Sequence, residues 1–341
     1  MKTGSDNAIT DVPGLAVGTA EAPDVRTGVT VVLPDIRAVA AVDVRGGGTG
    51  TRELELLGPD GTVDAVDAIV LSGGSAFGLA AADGVAGWLA EAGRGFPVGD
   101  MRVPLVPAAI LFDLLNGGDK SSFTRDTDTL PYRELGRRAA ESAGETVAEG
   151  SVGAGCGATT TGHDGRKLKG GQGTASVVLD SGTAVGALVA VNALGSVVAN
   201  ARGQFLAGSL EQDGEFGGRG GPDRIEPLDH PLKKYGPEDA GTNTTLAVVA
   251  TDAPLDARQA RRVAMMAQAG LARAIRPVFT PMDGDVVFAL STAQTGVSDH
   301  GDVARIGMAA ADCVARAAAR GVYAATALDA VWPDYSAAYS E

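Results

Sequence analysis

The sequence has few of the side chains that carry most metal, redox and hydrolytic chemistry. Its 341 residues include three histidines and two cysteines, and aromatic residues make up 4%. The cysteines lack the spacing of a zinc site, and two are too few for a disulfide framework. We therefore expect no metal and no cofactor, and we expect Cys156 and Cys313 to be small, buried apolar side chains.

The chain also lacks an excess of positive charge and any long apolar run. Its formal net charge is −14, which argues against nucleic acids and anionic membranes as partners and mildly favours substrates that carry an amine. No apolar run approaches the ~18 residues of a membrane-spanning helix. Residues 1–17 lack the basic and apolar regions of a signal peptide. We expect a cytoplasmic protein that binds neither nucleic acid nor membrane.

Glycine, by contrast, is abundant: 49 residues without a collagen-like period indicate many tight turns. Apolar patterns predict strands over 29–33, 38–44, 68–71, 245–250 and 285–290, and a strand meander over 174–198. Helices are predicted up to about Gly93, over 131–143, after Pro254, and around Ile306 to Ala317. Because hairpins and helices are mixed in blocks, we expect a layered α+β fold.

The most unusual junction lies where polar sequence meets an apolar strand. Residues 208–243 are rich in Gly, Pro, Asp, Glu and Lys without periodicity, which predicts a flexible linker. Thr244, at its end, can attack the carbonyl of Asn243, move the acyl group from nitrogen to oxygen, and let water release a new N-terminus. The freed α-amine of Thr244, with an ordinary pKa of about 7.7–8.0, can act as the base that takes the proton from the hydroxyl of the same residue. Taken by itself, the same junction is more typical of a domain linker followed by β-branched strand residues.

Other catalytic patterns are weaker. Residues 153–158 match a degenerate dinucleotide fingerprint, but no helix is predicted after them. Ser75 lies on a strand-to-helix turn whose glycine spacing differs from the nucleophile elbow, so a hydrolase that uses Ser75 and His300 is a secondary alternative. The sequence Asp283-Gly284-Asp285 predicts a turn more simply than a metal site.

Eight segments occur in the order known from one enzyme family. They are ITDVPGLAVG (9–18), RGGGTGTRE (45–53), SGGSAFGL (72–79), PAAILFD (107–113), GAG (153–155), KGGQG (169–173), VN (191–192) and NTTLAVVATD (243–252). Over most of its length the chain resembles the DmpA-type L-aminopeptidase/D-esterase family, which includes β-peptidyl aminopeptidases and 6-aminohexanoate-oligomer (nylon oligomer) hydrolases. The resemblance implies a four-layer αββα sandwich of the Ntn-hydrolase and ornithine acetyltransferase type. It also implies one catalytic domain over 1–341, cut into 1–243 and 244–341, and a homo-oligomer, a tetramer of such pairs.

The resemblance also assigns the site residues. Thr244 matches the nucleophile, Asn192 the oxyanion-hole asparagine, and Asp283 an acidic position that contacts the nucleophile's amine. The expected substrate is a short peptide or small molecule with a free amine. The expected pocket consists of Ser72, Gly73, Gly74, Phe112 and Lys167. Phe112 stands where some members have a tyrosine, so that hydroxyl is missing here.

Two further positions depart from the family pattern. Pro281 stands where other members have serine or aspartate, which predicts one polar partner fewer for Asp283. The lysine found near the nucleophile of the nylon-oligomer hydrolases falls on Gly162, and Lys167 or Lys169 is the expected substitute. These departures leave the nature of the substrate open.

The sequence is also compatible with two other functions. One is an acyl transferase like ornithine acetyltransferase, which uses the same self-cleaving threonine. The other is a non-enzymatic binding module with an intact linker.

Overall fold

The computed structural model describes residues 1–58, 61–227, 234 and 243–340. Its strands are β1 (Lys2–Thr3), β2 (Leu15–Ala22), β3 (Thr27–Pro34), β4 (Ala38–Val44), β5 (Thr51–Arg52), β6 (Ala65–Val66), β7 (Ile69–Ser72), β8 (Phe96–Val98), β9 (Met101–Val103), β10 (Ala108–Ile110), β11 (Thr159–Thr161), β12 (Lys167–Lys169), β13 (Gly171–Val178), β14 (Ala184–Asn192), β15 (Thr244–Thr251) and β16 (Val286–Ser291). The α-helices are α1 (Ala81–Glu91), α2 (Ser122–Arg125), α3 (Tyr132–Glu141), α4 (Ala257–Ala274), α5 (His300–Tyr323) and α6 (Tyr335–Ala338). Short 3-10 helices cover Ile9–Asp11, Glu55–Leu57, Ser75–Ala80, Thr127–Thr129, Gly153–Gly155 and Leu206–Leu210.

The first sheet has seven strands in the order β1-β13-β14-β15-β16-β4-β6. Its pairs are antiparallel except β15 and β16, which run parallel. A parallel pair needs a crossover connection, and α4 provides it. Asp256 caps α4 by accepting a hydrogen bond from the backbone N–H of Gln259 at 2.8 Å.

The second sheet has five strands in the order β2-β3-β7-β10-β5. In it β7 and β10 run parallel and the other pairs antiparallel. Two separate hairpins complete the strands, one formed by β8 and β9 and the other by β11 and β12.

Three apolar cores separate four layers. The first core lies between α4, α5 and the seven-stranded sheet, the second between the two sheets, and the third between the five-stranded sheet and α1, α3. In β15, Ala247 and Val249 enter the first core, whereas Leu246 and Val248 enter the second. Burial on both faces explains why the central strands read as continuous apolar runs. The predicted αββα sandwich is confirmed.

Most predicted elements are present with small shifts at their ends. The strand over 38–44 is confirmed as β4. The meander was predicted to continue to residue 198, and this is wrong. β14 ends at Asn192, and the following residues pair only through isolated bridges such as Ser196 to Arg276.

The flexible linker predicted over 208–243 is corrected for residues 208–227, which are packed. Phe216 is buried and meets the Phe205 ring edge-on at 5.4 Å between centroids. Glu215 forms a buried ion pair with Arg316 of α5 at 2.6 Å. Residues 228–233 and 235–242 of this segment lie outside the described residues.

The expectation about the cysteines is confirmed, since Cys156 and Cys313 are both free thiols in buried positions. Within the described ranges, every helix is too short or too polar to cross a bilayer.

Candidate active site

The predicted nucleophile and the predicted oxyanion residue are neighbours on two paired strands. In the antiparallel ladder, Asn192 at the end of β14 stands directly opposite Thr244 at the start of β15. Side chains of such a pair share one face of the sheet with Cβ atoms about 4.5–5.5 Å apart. Strand alternation puts both on the face of Leu246, which lies in the core between the sheets. Thr244 is 1% exposed, so in the uncut chain the hydroxyl is sealed from solvent.

The peptide bond before Thr244 is held by two donors at its carbonyl oxygen. The Thr244 hydroxyl donates to the carbonyl of Asn243, so it lies against the peptide that it would cut. The backbone N–H of Gly284 donates to the same oxygen at 2.9 Å. Attack on this carbonyl would place negative charge on that oxygen, where a backbone donor already stands, as in an oxyanion hole.

The side-chain amide of Asn192 has a fixed orientation. Its Oδ1 accepts the backbone N–H of Thr159 at 2.9 Å, and its Nδ2 donates to the carbonyl oxygen of Phe112 at 2.9 Å. An amide nitrogen carries two N–H groups, so one remains beyond the bond to Phe112. Phe112 thus serves Asn192 through its backbone carbonyl.

Asp283 is buried beside the cleavage junction. Asn243 and Asp283 form a parallel bridge. The Asp283 carboxylate accepts the backbone N–H of Leu194 at 3.1 Å and the hydroxyl of Thr280. Asp283 thus has a hydroxyl partner in Thr280, next to Pro281, and the expectation that Pro281 removes one polar partner relative to other members stays a prediction.

Asp285 is a site residue that the sequence reasoning missed. Its two carboxylate oxygens accept the backbone N–H groups of Thr245 at 2.7 Å and Phe279 at 3.0 Å. Burial, together with the nearby charge of Asp283, raises the pKa of Asp285 to about 7. The sequence does contain a sign of this role, because Asp285 directly precedes a fully buried strand. A carboxylate buried at such a position needs hydrogen-bond donors around it.

A glycine-rich loop covers this junction. The backbone N–H of Gly48 donates to the carbonyl of Asp283 at 2.8 Å, and that of Gly46 to the carbonyl of Asp285 at 3.2 Å. A Cβ atom on Gly284 would lie 2.6 Å from the Gly48 oxygen and 2.8 Å from the Thr244 hydroxyl. Glycine at these positions permits the close approach of three backbone segments to the nucleophile.

The predicted pocket residues of the second sheet lie beside a buried carboxylate. Ser72, at the end of β7, is buried, and its hydroxyl donates to the Gly73 carbonyl at 3.0 Å. Gly74 has φ +87°, and its N–H donates to Asp113 Oδ1 at 2.8 Å. Burial raises the pKa of Asp113, and the Lys120 charge opposes this. Asp113 directly follows the residue whose carbonyl binds Asn192, which joins this loop to the nucleophile's side.

Lys167 and Lys169 are the lysines expected to replace the one missing at Gly162. The Lys167 ammonium lies over the Trp332 ring, 4.9 Å from its centroid, and its assignment to the pocket stays a prediction. Lys169 is buried, and its ammonium donates to the backbone carbonyls of Gly155 at 2.7 Å and Gly170 at 2.8 Å. Burial lowers the pKa of Lys169 to about 7.

The lysine that the structure does bring to Asn192 is Lys234. Its ammonium donates to the carbonyl oxygens of Thr159 at 3.0 Å and Asn192 at 3.1 Å, and to the amide oxygen of Asn192 at 3.2 Å. Lys234 is 1% exposed. It lies within the sequence predicted as linker, where local patterns carry no signal for a buried cation.

The other patterns considered as catalytic or metal-binding were a metal site and a hydrolase site with Ser75 and His300. Among the described residues, no group of three or more His, Cys, Asp or Glu side chains is arranged to hold a metal ion. His300 is the exposed first residue of α5. Ser75 has φ +52°, and its backbone N–H donates to the carbonyl of Leu111 at 3.0 Å, as expected of a tight strand-to-helix turn.

The model of one peptidase family, peptidase family S58, matches residues 7–332. The chain belongs to peptidase family S58. The resemblance to DmpA-type enzymes is thereby confirmed, and membership makes the chain a hydrolase of amide bonds. An uncharacterized aminopeptidase of Mycobacterium bovis is 44% identical over 336 residues, which cover 93% of each chain. A 6-aminohexanoate-oligomer endohydrolase of a Kocuria species is 32% identical, with 85% of this chain and 76% of the relative covered.

Solved structures of other proteins have the same fold as this chain. A β-aminopeptidase of a Burkholderia species superimposes with a TM-score of 0.67 at 26% identity, covering 95% of this chain and 88% of that one. The L-aminopeptidase D-Ala-esterase/amidase of Ochrobactrum anthropi gives a TM-score of 0.71 at 23% identity, with 98% and 92% covered. The latter is described as a new variant of the Ntn hydrolase fold. The fold of this chain is therefore of the Ntn-hydrolase type.

Proposed function

We propose that this S58 peptidase is an N-terminal-threonine amidohydrolase that cuts its own chain between Asn243 and Thr244. The observation that carries the proposal is the shared carbonyl oxygen of Asn243, which accepts both the Thr244 hydroxyl and the Gly284 N–H. A nucleophile and an oxyanion donor thus meet at one peptide bond. A plain linker ending at a strand needs neither.

The self-cleavage proceeds in two balanced steps. The Thr244 oxygen attacks the carbonyl carbon of Asn243 and loses its proton, and the carbon–nitrogen bond breaks as the nitrogen takes up a proton. The product is an ester between Asn243 and the Thr244 side chain. Water then hydrolyses the ester, which leaves a carboxylate on Asn243 and a free α-amine on Thr244.

The same threonine then serves in turnover. Its α-amine accepts the hydroxyl proton as the oxygen attacks the substrate carbonyl, and the amine product leaves as an acyl-Thr244 ester forms. The free N–H of Asn192 faces the developing oxyanion, and Asp283 orients the α-amine. Removing one oxyanion donor costs roughly 10²–10³ in kcat in other acyl-transfer enzymes. Water releases the acyl group.

The proposed substrates are amides or esters with a free amine: short peptides, amino-acid amides or 6-aminohexanoate-type oligomers. Three observations support this class. The net charge of −14 favours cationic substrates. The Mycobacterium bovis relative is an aminopeptidase by name, and the Kocuria relative acts on 6-aminohexanoate oligomers.

We also propose a homo-oligomer, with a tetramer of cut pairs as its form. Hairpin β8–β9 supports association, because its apolar side chains are exposed together. They are Phe96, Val98, Met101 and Val103. Exposed apolar groups of this kind mark contact surfaces, and the native mass of the purified protein tests the assembly.

The decisive experiment follows the cut directly. Intact mass and N-terminal sequencing of the wild type should give two pieces, 1–243 and 244–341, with the smaller beginning at Thr244. Thr244→Ala should stay full length and lose at least about 10³-fold in activity on an amino-acid amide. Thr244→Ser, which keeps a hydroxyl, should still be cut, more slowly.

A matched control is available one residue further on. Thr245→Val removes the other hydroxyl at the junction and keeps a β-branched residue in β15, so it should be cut like the wild type. Normal cutting of Thr244→Ala would move the nucleophile elsewhere, with Thr245 as first candidate. N-acetylation of the substrate tests the need for a free amine, and equal turnover of both forms would refute it.

A further inference from the structure

Lys234 is a buried cation whose contacts centre on one side chain of the site. Its ammonium reaches both the main-chain oxygen and the amide oxygen of Asn192, at 3.1 and 3.2 Å. It also reaches the carbonyl oxygen of Thr159, at 3.0 Å, and Thr159 itself donates to the amide oxygen of Asn192. Lys234 and Thr159 therefore hold Asn192 from the same side.

These contacts decide which way the Asn192 amide points. An amide can turn by half a rotation and exchange its oxygen and nitrogen, and the donors around it select the orientation. With the ammonium and the Thr159 N–H on Oδ1, the nitrogen lies on the opposite side. There it donates to the Phe112 carbonyl at 2.9 Å and keeps one N–H for the nucleophile's side.

The charge of Lys234 has a second consequence. A hydrogen bond from a charged donor is about twice as strong as a neutral one, and buried hydrogen bonds in a chain polarise one another. An ammonium on Oδ1 draws electron density from the amide and makes its N–H groups better donors. The effect grows when negative charge develops next to that N–H, which occurs in the transition state.

We propose that Lys234 is a positioning residue that fixes the Asn192 amide and strengthens it as an oxyanion donor. The inference rests on the proposed function of Thr244 and Asn192. Lys234 precedes the cut, so it remains on the 1–243 piece together with Asn192. It supplies the charge that neither Lys167 nor Lys169 brings to Asn192.

The test compares three variants of the full chain. Lys234→Met keeps the length and removes the charge, Lys234→Arg keeps a charge, and Lys2→Met removes an exposed lysine of β1. Self-cleavage is followed by intact mass, and kcat and KM are measured on an amino-acid amide with a free amine. Lys234→Met should lower kcat about 10- to 100-fold with KM changed less than about threefold. Lys234→Arg should recover most of the rate, and Lys2→Met should match the wild type.

A double-mutant cycle with Asn192→Ala separates positioning from an independent role. If Lys234 acts through Asn192, adding Lys234→Met to Asn192→Ala should cause little further loss. An equal loss on both backgrounds, a loss confined to KM, or an unchanged or raised kcat would each overturn the inference. Thermal unfolding of each variant shows whether a loss of rate is only a loss of fold.

The two proposals fail in different ways. A wild-type chain that stays uncut and inactive overturns the proposed function and this inference with it. A wild type that is cut and active, with Lys234→Met equally active, overturns the inference alone.

Discussion

The seven-stranded sheet brings paired polar groups to the site, whereas the five-stranded sheet brings glycines and one buried carboxylate. On the first, Asp285 accepts two backbone N–H groups and Asn192 is held at both ends of its amide. On the second, Asp113 accepts the Gly74 N–H, while its other oxygen has no hydrogen-bond partner among the described residues. The first sheet thus fixes the side chains of Asn192 and Asp285 through hydrogen bonds. The second sheet contributes the glycine loop of the predicted pocket beside them.

The largest effect is expected on the first sheet, from Gly284→Ala. The new Cβ would lie 2.6 Å from the Gly48 oxygen and 2.8 Å from the Thr244 hydroxyl. Displacing either the hydroxyl or the Gly284 donor should slow self-cleavage by about 10³-fold, since misplacement of about 1 Å already costs roughly 10²-fold. Intact mass against time measures the rate.

Gly87→Ala, in α1, is the matched control, because a Cβ there meets nothing within 4 Å. It should be cut like the wild type and gain up to about 1 kcal/mol of stability from better helix propensity. Normal cutting of Gly284→Ala would show that the close approach of the Gly48 and Thr244 oxygens to Gly284 is not needed for cleavage.

A smaller effect, mainly on stability and KM, is expected on the second sheet from Gly74→Ala. Gly74 has φ +87°, and a Cβ there would fall on the Tyr132 ring. Strain and overpacking together should cost about 3 kcal/mol in the free energy of unfolding. Urea unfolding measures the loss, and KM reports the altered pocket.

Gly93→Ala separates the two causes, since φ is +71° but a Cβ meets nothing within 4 Å. It should cost only about 1 kcal/mol, the strain alone. Equal losses at both glycines would show that contact with Tyr132 contributes nothing.

The smallest expected effect concerns pH. Burial and the charge of Asp283 raise the pKa of Asp285 to about 7, and the ionised carboxylate is the form that accepts both N–H groups. The uncut chain has no free amine on Thr244, so its cleavage rate should rise about 10-fold with pH through about 7 because of Asp285. Asp285→Asn should flatten this profile.

Stability should move in the opposite direction. A carboxyl with a raised pKa in the folded state binds its proton more tightly there, so its contribution to stability is lost as pH rises from about 4 to about 7. Unfolding measured across this range should show the decline in the wild type and not in Asp285→Asn. A cleavage profile that is already flat in the wild type would exclude Asp285 as its cause.

The elements that the sequence predicts well are those with local patterns. β4 and β15 are continuous apolar runs because both faces are buried, and α4 carries its own cap at Asp256. The junction at Thr244 was found because a sharp change in composition coincides with the start of a strand. These features need no knowledge of distant contacts.

The features that were missed depend on partners far along the chain. Glu215 lies in a polar, glycine-rich stretch, and its ion pair with Arg316, 101 residues away, helps to show that the stretch is packed. Lys234 is 42 residues from Asn192 in sequence. The composition around either residue resembles that of a linker. The contacts that hold Glu215 and Lys234 in place produce no periodic pattern in the sequence.

If the chain is cut before Thr244 as proposed, the position of β15 has a consequence for how the two pieces hold together. β15 pairs with β14 on one side and β16 on the other, and the chain after the cut also supplies α4 and α5, which cover one face of the first sheet. After such a cut, each 244–341 piece would stay folded into the 1–243 piece that it was synthesised with. The two pieces would then be present one to one without any encounter between separate molecules. Once unfolded, the two pieces would have to find each other by diffusion, so refolding becomes bimolecular and concentration-dependent.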